Sequence, residues 1–130
     1  MQPVEERMIE YLRERVALLG EESMRFAPFR SKFYADGCRR DTREHLLKES
    51  QSERILKISV VDLEAEVITG IETSEGGIRR LRYQLKATSD AWMINSLEIE
   101  CPSCLGQQGN RFCGGCCGTG WLVRLNRQTV

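Results

Sequence analysis

The sequence predicts an α+β fold in which N-terminal helices pack on a curved antiparallel sheet that carries a C-terminal zinc hairpin with four cysteine ligands. Two observations predict it. The apolar period changes from about 3.6 to 2 near Ser52, the switch expected where helices give way to strands that each have one buried face. Five of the six cysteines then fall between Cys101 and Cys117.

The helices come first. Met8, Ile9, Leu12, Val16 and Leu19 recur at helical spacing between Pro3 and Gly20, which predicts an amphipathic helix over 4–19. "FAPFRSKFYADG" predicts a second, with Pro28 in its first turn, Phe29 and Phe33 one turn apart and Gly37 as terminator. Asp41 and Glu44 have capping-box spacing ahead of Leu46 and Leu47, so a third helix is expected to begin there.

The strands follow. "ILKISVVDLEAEVITGIET" sets Val61, Leu63, Ala65, Val67 and Ile71 on one parity, which is the expected core face, against Asp62, Glu64 and Glu66. "IRRLRYQLKATSD" alternates Leu81, Tyr83, Leu85 and Ala87 with Arg80, Arg82, Gln84 and Lys86. Glu64 and Glu66 are expected to face Arg80, Arg82 and Lys86 across strands. A turn at Ser89 and Asp90 leads into "AWMINSLEIEC", and Trp121, Val123 and Leu125 alternate like one more strand. The core expected from these elements includes Leu12, Val16, Phe33, Leu63, Val67, Leu81 and Leu85.

In "CPSCLGQQGNRFCGGCCGTGW", Cys101 and Cys104 form one C-x-x-C and Cys113 and Cys116 a second. Two such turns facing each other supply four thiolates in a tetrahedron, which suits zinc and leaves no open coordination position for catalysis. An iron–sulfur centre or a redox dithiol is the competing chemistry. Cys117 stands beside Cys116 as the alternative fourth ligand, but the glycine register of Gly118 and Gly120 favours Cys116. The strands on either side make the cysteine segment the tip of a hairpin whose legs belong to the main sheet.

Composition limits the function. With 41% hydrophobic and 29% charged residues the chain is globular, and basic and acidic residues balance at nineteen each. No global field therefore draws it to nucleic acid or an anionic membrane, and Arg111 is the sole charged residue from Cys101 to Gly120. Nucleic acid is disfavoured as a partner, although Arg39, Arg40 and Arg43 together with Arg79, Arg80 and Arg82 offer cationic rows. The acidic start and the lack of a membrane-length apolar run predict a soluble, cytoplasmic protein, and a reducing compartment favours metal over disulfides.

"CGGCCGTG" resembles the C-x-x-C-x-G-x-G repeat of the DnaJ cysteine-rich zinc region, and "CPSCLGQQG" does so with its last glycine displaced to Gly109. Two repeats are present instead of four, and His45 is followed by leucines, so only zinc-hairpin chemistry on Cys101, Cys104, Cys113 and Cys116 is implied. Over roughly residues 4–100, the element order and the "LRYQLKATSDAWMINSLEI" hairpin resemble the nuclear transport factor 2-like superfamily, whose cone is shared with ketosteroid isomerase. That resemblance implies an α+β domain over 1–100, followed by the zinc-binding hairpin at 101–120 and a C-terminal strand and tail at 121–130. It also directs attention to a pocket near Tyr11, Tyr34, Asp36, His45 and Tyr83, but no catalytic spacing of residues is present. The expected function is a zinc-stapled binding or accessory protein with a protein or peptide partner. A small-molecule-binding or isomerase-like cone is the alternative. Whether the chain is an enzyme is left open, as is its oligomeric state, with a homodimer one option.

Overall fold

A computed structural model describes residues 2–17, 26–35, 38–40, 52–72, 76–100 and 121–127. Helices α1 (Val4–Ala17) and α2 (Phe26–Phe33) lie with strands β1 (Cys38–Arg40), β2 (Arg54–Val61), β3 (Glu64–Glu72), β4 (Ile78–Ala87), β5 (Trp92–Glu100) and β6 (Trp121–Arg127). The expected α+β class holds. The helix expected from Asp41, the terminator Gly37, and Asp36 and His45 lie outside the described residues.

All six strands form one sheet in the order β1-β6-β5-β4-β3-β2, and every neighbouring pair is antiparallel. From β2 to β6 the strands meander, so consecutive strands are neighbours. β1 joins the far edge, with Cys38 opposite Arg127 and Arg40 opposite Leu125. Register shifts between Ile55 and Lys57, Gln84 and Leu85, and Leu97 and Glu98 mark bulges. Each bends its strand, and together they curve the sheet about the helices.

α1 starts where Pro3 presets the backbone: the Pro3 carbonyl accepts from the Arg7 amide at 3.0 Å, and Glu5 and Glu6 sit in the positive first turn. Its buried residues are Val4, Arg7, Met8, Tyr11 and Arg15. This stripe departs from the one expected: Ile9 is exposed, whereas two arginines are buried. The reason is register. The row 4-8-11-15 stacks turn upon turn, and the Tyr11 ring at its centre turns the helix toward the sheet.

Arg7 shows how an arginine is accommodated inside. Its Nε donates to the Trp92 carbonyl at 3.1 Å, one terminal nitrogen to Glu10 at 3.0 Å and the other to the Lys32 carbonyl, while the guanidinium lies 4.5 Å from the Phe33 ring centre. One side chain thereby links α1, α2 and β5. The end of α2 is tied down by a parallel bridge between Tyr34 and Ile94, with the Ala35 amide donating to the Ile94 carbonyl at 2.8 Å.

The sheet's inner face carries Ala65, Val67, Thr69 and Ile71 from β3, Leu81, Tyr83 and Leu85 from β4, and Trp92, Ile94, Leu97 and Ile99 from β5, all buried. Of the expected core, Phe33, Val67, Leu81 and Leu85 are buried, and Leu12 packs against them. Leu63 and Val61 are corrections, because Asp62 and Leu63 form the turn between β2 and β3 and these two apolar side chains are 67% and 70% exposed. Asp62 takes φ 55°, the left-handed conformation that a short acidic side chain tolerates better than most. The turn at Ser89 and Asp90 is present, with Thr88 Oγ1 accepting from the Asp90 and Ala91 amides at 3.3 and 3.1 Å.

Candidate functional site

Beneath α1, the polar residues of the inner face converge. Glu53 stands just before β2, its side chain fully buried, and forms an ion pair with Arg15, whose side chain is 4% exposed. The second Glu53 oxygen accepts from Thr69 Oγ1 and from the Tyr83 hydroxyl, each at 2.6 Å. Arg15 also donates to the hydroxyls of Tyr11 at 2.8 Å and Tyr83 at 3.0 Å, and the Tyr11 and Tyr34 hydroxyls share a hydrogen bond of 2.6 Å. Arg15 Nε finds no acceptor among the described residues.

Aromatic rings enclose this cluster. Tyr11 stacks on Phe29 at 5.5 Å and meets Phe33, Tyr34 and Tyr83 edge-on at 5.4, 5.8 and 5.6 Å. A buried charge is tolerable only when paired and hydrogen-bonded, and here one carboxylate collects a guanidinium and two hydroxyls. Burial disfavours the Arg15 charge, but the facing Tyr11, Tyr83 and Tyr34 outweigh it and hold its pKa above the ordinary arginine value. Arg15 is a fixed cation.

Burial pushes the Tyr83 hydroxyl well above its ordinary pKa, against the pull of Arg15 and with reinforcement from Tyr11 and Tyr34. The group is therefore a neutral donor to Glu53 across the physiological range. For stability the sign is definite. The folded state keeps a proton that the unfolded chain releases near pH 10, so this contribution is present below about pH 10 and is lost as pH rises toward the folded pKa. Denaturant midpoints measured from pH 8 to 11 should fall more steeply for the native chain than for Tyr83→Phe. Parallel curves would show that Tyr83 does not titrate against folding.

The outer face is built from ion pairs and one indole. Arg82 faces Glu98 in register and holds it at 2.7 and 3.0 Å, while Arg80 binds Glu100 at 2.7 Å. Both guanidiniums lie over the Trp121 ring, at 5.6 Å for Arg80 and 4.7 Å for Arg82. The expected cross-strand pairing is correct for Glu64 with Lys86, which are in register and 4.0 Å apart. For Arg80 and Arg82 the partners come from β5 instead, and Glu66 faces Gln84. A carboxylate and the indole thus lie against each of these two arginines.

Depressions occur on this outer face, one over Leu56, Ile68, Arg80, Arg82 and Trp121 and another over Ser59, Glu66, Gln84 and Lys86. The polar interior groups, by contrast, point at one another.

Cys101, Cys104, Cys113 and Cys116, the expected zinc ligands, lie outside the described residues, as does Cys117. The flanking strands are described: β5 ends at Glu100 and β6 begins at Trp121, and these two residues are partners in the sheet. Among the described residues no group of three or more His, Cys, Asp or Glu side chains is placed to hold a metal, and no helix is long and apolar enough to cross a membrane.

Tyr11 and Tyr34 are expected near a pocket mouth and Tyr83 on the core face; the structure brings all three together in the interior. Arg15, Glu53 and Thr69 escape the sequence reading. A signal is present for Thr69, the polar interruption in the buried row of β3. Comparison with family models, curated proteins and solved structures finds no match to this chain.

Proposed function

We propose that the chain is a small zinc-stapled binding or accessory protein of the cytoplasm, acting through protein or peptide contacts on a cone of the nuclear transport factor 2-like kind. The observation that carries this reading is the occupied interior. Where a cone enzyme would hold its substrate, Arg15, Glu53, Thr69 and the three tyrosines hydrogen-bond to one another. The alternative, a small-molecule-binding or isomerase-like cone, requires this cluster to open and leave a buried charge unpaired.

The zinc assignment rests on donor chemistry and on the paired ends of the segment. Glu100 and Trp121 are neighbours in an antiparallel pair, where Cα atoms sit about 4.5–5.5 Å apart. A set of four thiolates suits tetrahedral zinc, and closing it there would hold the register of β5 against β6. Protein purified without added metal should carry close to one equivalent of zinc. Cys113→Ser should lose it, whereas Cys117→Ser should keep it. Iron, or free thiols without metal, would refute the assignment, and equal loss in both variants would move the fourth ligand to Cys117. Leu105 and Phe112 flank the loop "GQQGNR" that joins the two C-x-x-C turns, so the contact function is tested separately with Leu105→Ser combined with Phe112→Ser: zinc content should stay unchanged while a protein partner recovered with the native chain is lost.

A further inference from the structure

β2 is the edge strand of the sheet, and among the described residues no strand lies beyond it. Such an edge presents a row of unpaired amides and carbonyls, which proteins commonly blunt with proline, charge or bulges. Here the bulge between Ile55 and Lys57 disturbs one end only, leaving Lys57–Val61 as a regular run with Lys57 its sole charged residue. The strand and its turn also carry Leu56, Val60, Val61 and Leu63, exposed by 47%, 51%, 70% and 67%. Four large apolar side chains on one hairpin edge form a sticky rim.

Charge along the hairpin selects the occupant. Arg54 and Lys57 make one end of β2 basic, and Asp62 and Glu64 make the turn end acidic. A strand of this polarity is complementary to itself when run antiparallel. We propose that β2 pairs with β2 of a second copy about a two-fold axis at Ser59, which joins two sheets into one.

The register follows from face matching. With the axis at Ser59, Val60 of each copy lies beside Ile58 of the other on the inner face, and Val61 lies beside the Lys57 stem on the outer face. Each basic end meets the other copy's turn, bringing Lys57 next to Asp62 and Arg54 toward Glu64. Backbone pairing supplies the attraction, and the alternation of charge rejects the parallel arrangement.

Light scattering after size exclusion, over a wide range of protein concentration, tests this on the full chain. The native protein should reach dimer mass. Arg54→Glu with Lys57→Glu makes both ends acidic, and Asp62→Asn with Glu64→Lys makes both ends basic; Asn is chosen because it tolerates the left-handed backbone at Asp62. Each variant alone should need at least about ten-fold higher concentration to associate, and an equimolar mixture should recover the dimer. A native chain that stays monomeric throughout would overturn the proposal and leave the edge to an extended peptide of another protein. Variants that dimerise like the native chain, or a mixture that does not associate, would overturn it as well.

Discussion

Arg15→Met should lower stability by about 3–5 kcal/mol, because it leaves the Glu53 carboxylate buried without its cation. The thermal midpoint should drop by roughly 10–20 °C. Glu53→Gln should cost a similar amount, since an amide whose oxygen still accepts from Tyr83 and Thr69 turns its NH2 toward the Arg15 guanidinium and leaves that cation buried without a counter-charge. The double variant is the most informative. If the pair acts as a unit, Arg15→Met with Glu53→Gln should be more stable than Arg15→Met alone, because the stranded charge is gone. Chemical denaturation of all four proteins yields the coupling directly. Additive losses would mean that water reaches Glu53 and that the interior is less closed than its contacts indicate.

The second large effect is expected at Tyr11, where ring and hydroxyl do different work. Tyr11→Ala removes a fully buried ring that contacts four other aromatic rings and should cost about 3–5 kcal/mol. Tyr11→Phe keeps the ring and deletes only the hydroxyl that bridges Arg15 and Tyr34, a loss of about 1–2 kcal/mol. Urea midpoints of the two variants separate packing from hydrogen bonding. Equal losses would assign the whole role of Tyr11 to its hydroxyl, making the cluster a polar device rather than a core.

Which features are legible in the sequence follows from what side chains reveal by type. The change of period places helices before strands, and Val67, Leu81 and Leu85 announce their burial because alternation with charged neighbours leaves them one face to occupy. The turn at Asp62 and Leu63 is hidden. "VVDLEA" carries no glycine, proline or asparagine, and its apolar parity runs on unbroken, so two strands read as one and two turn-adjacent residues fall on the expected core face. Arg15 and Glu53 are hidden for another reason. A charged residue signals the surface by default, and only tertiary packing reveals a distant pair that neutralises itself. Tyr83 is readable as an inward residue, but its hydroxyl's partners come from α1 and from the residue before β2, which no local pattern connects. Short β1 escapes for lack of length, since three residues, Cys-Arg-Arg, carry no period at all.

β1 has a further consequence, for the order of assembly. Its partner is β6, so Cys38–Arg40 acquires a neighbour only when Leu125–Arg127 arrives. The meander from β2 to β5 can zip from local hairpins, whereas closing this last seam must join two distant segments across a long intervening stretch of chain. During synthesis the early segment therefore waits until Arg127 has emerged. A chain truncated after Glu100 would expose β5 as a raw border and leave β1 stranded, a species prone to capture by chaperones or by its own kind. Truncated chains, released and ending at Glu100 and at Arg127, should differ sharply in protease resistance at Cys38–Arg40, and equal resistance would show that β1 is held without β6.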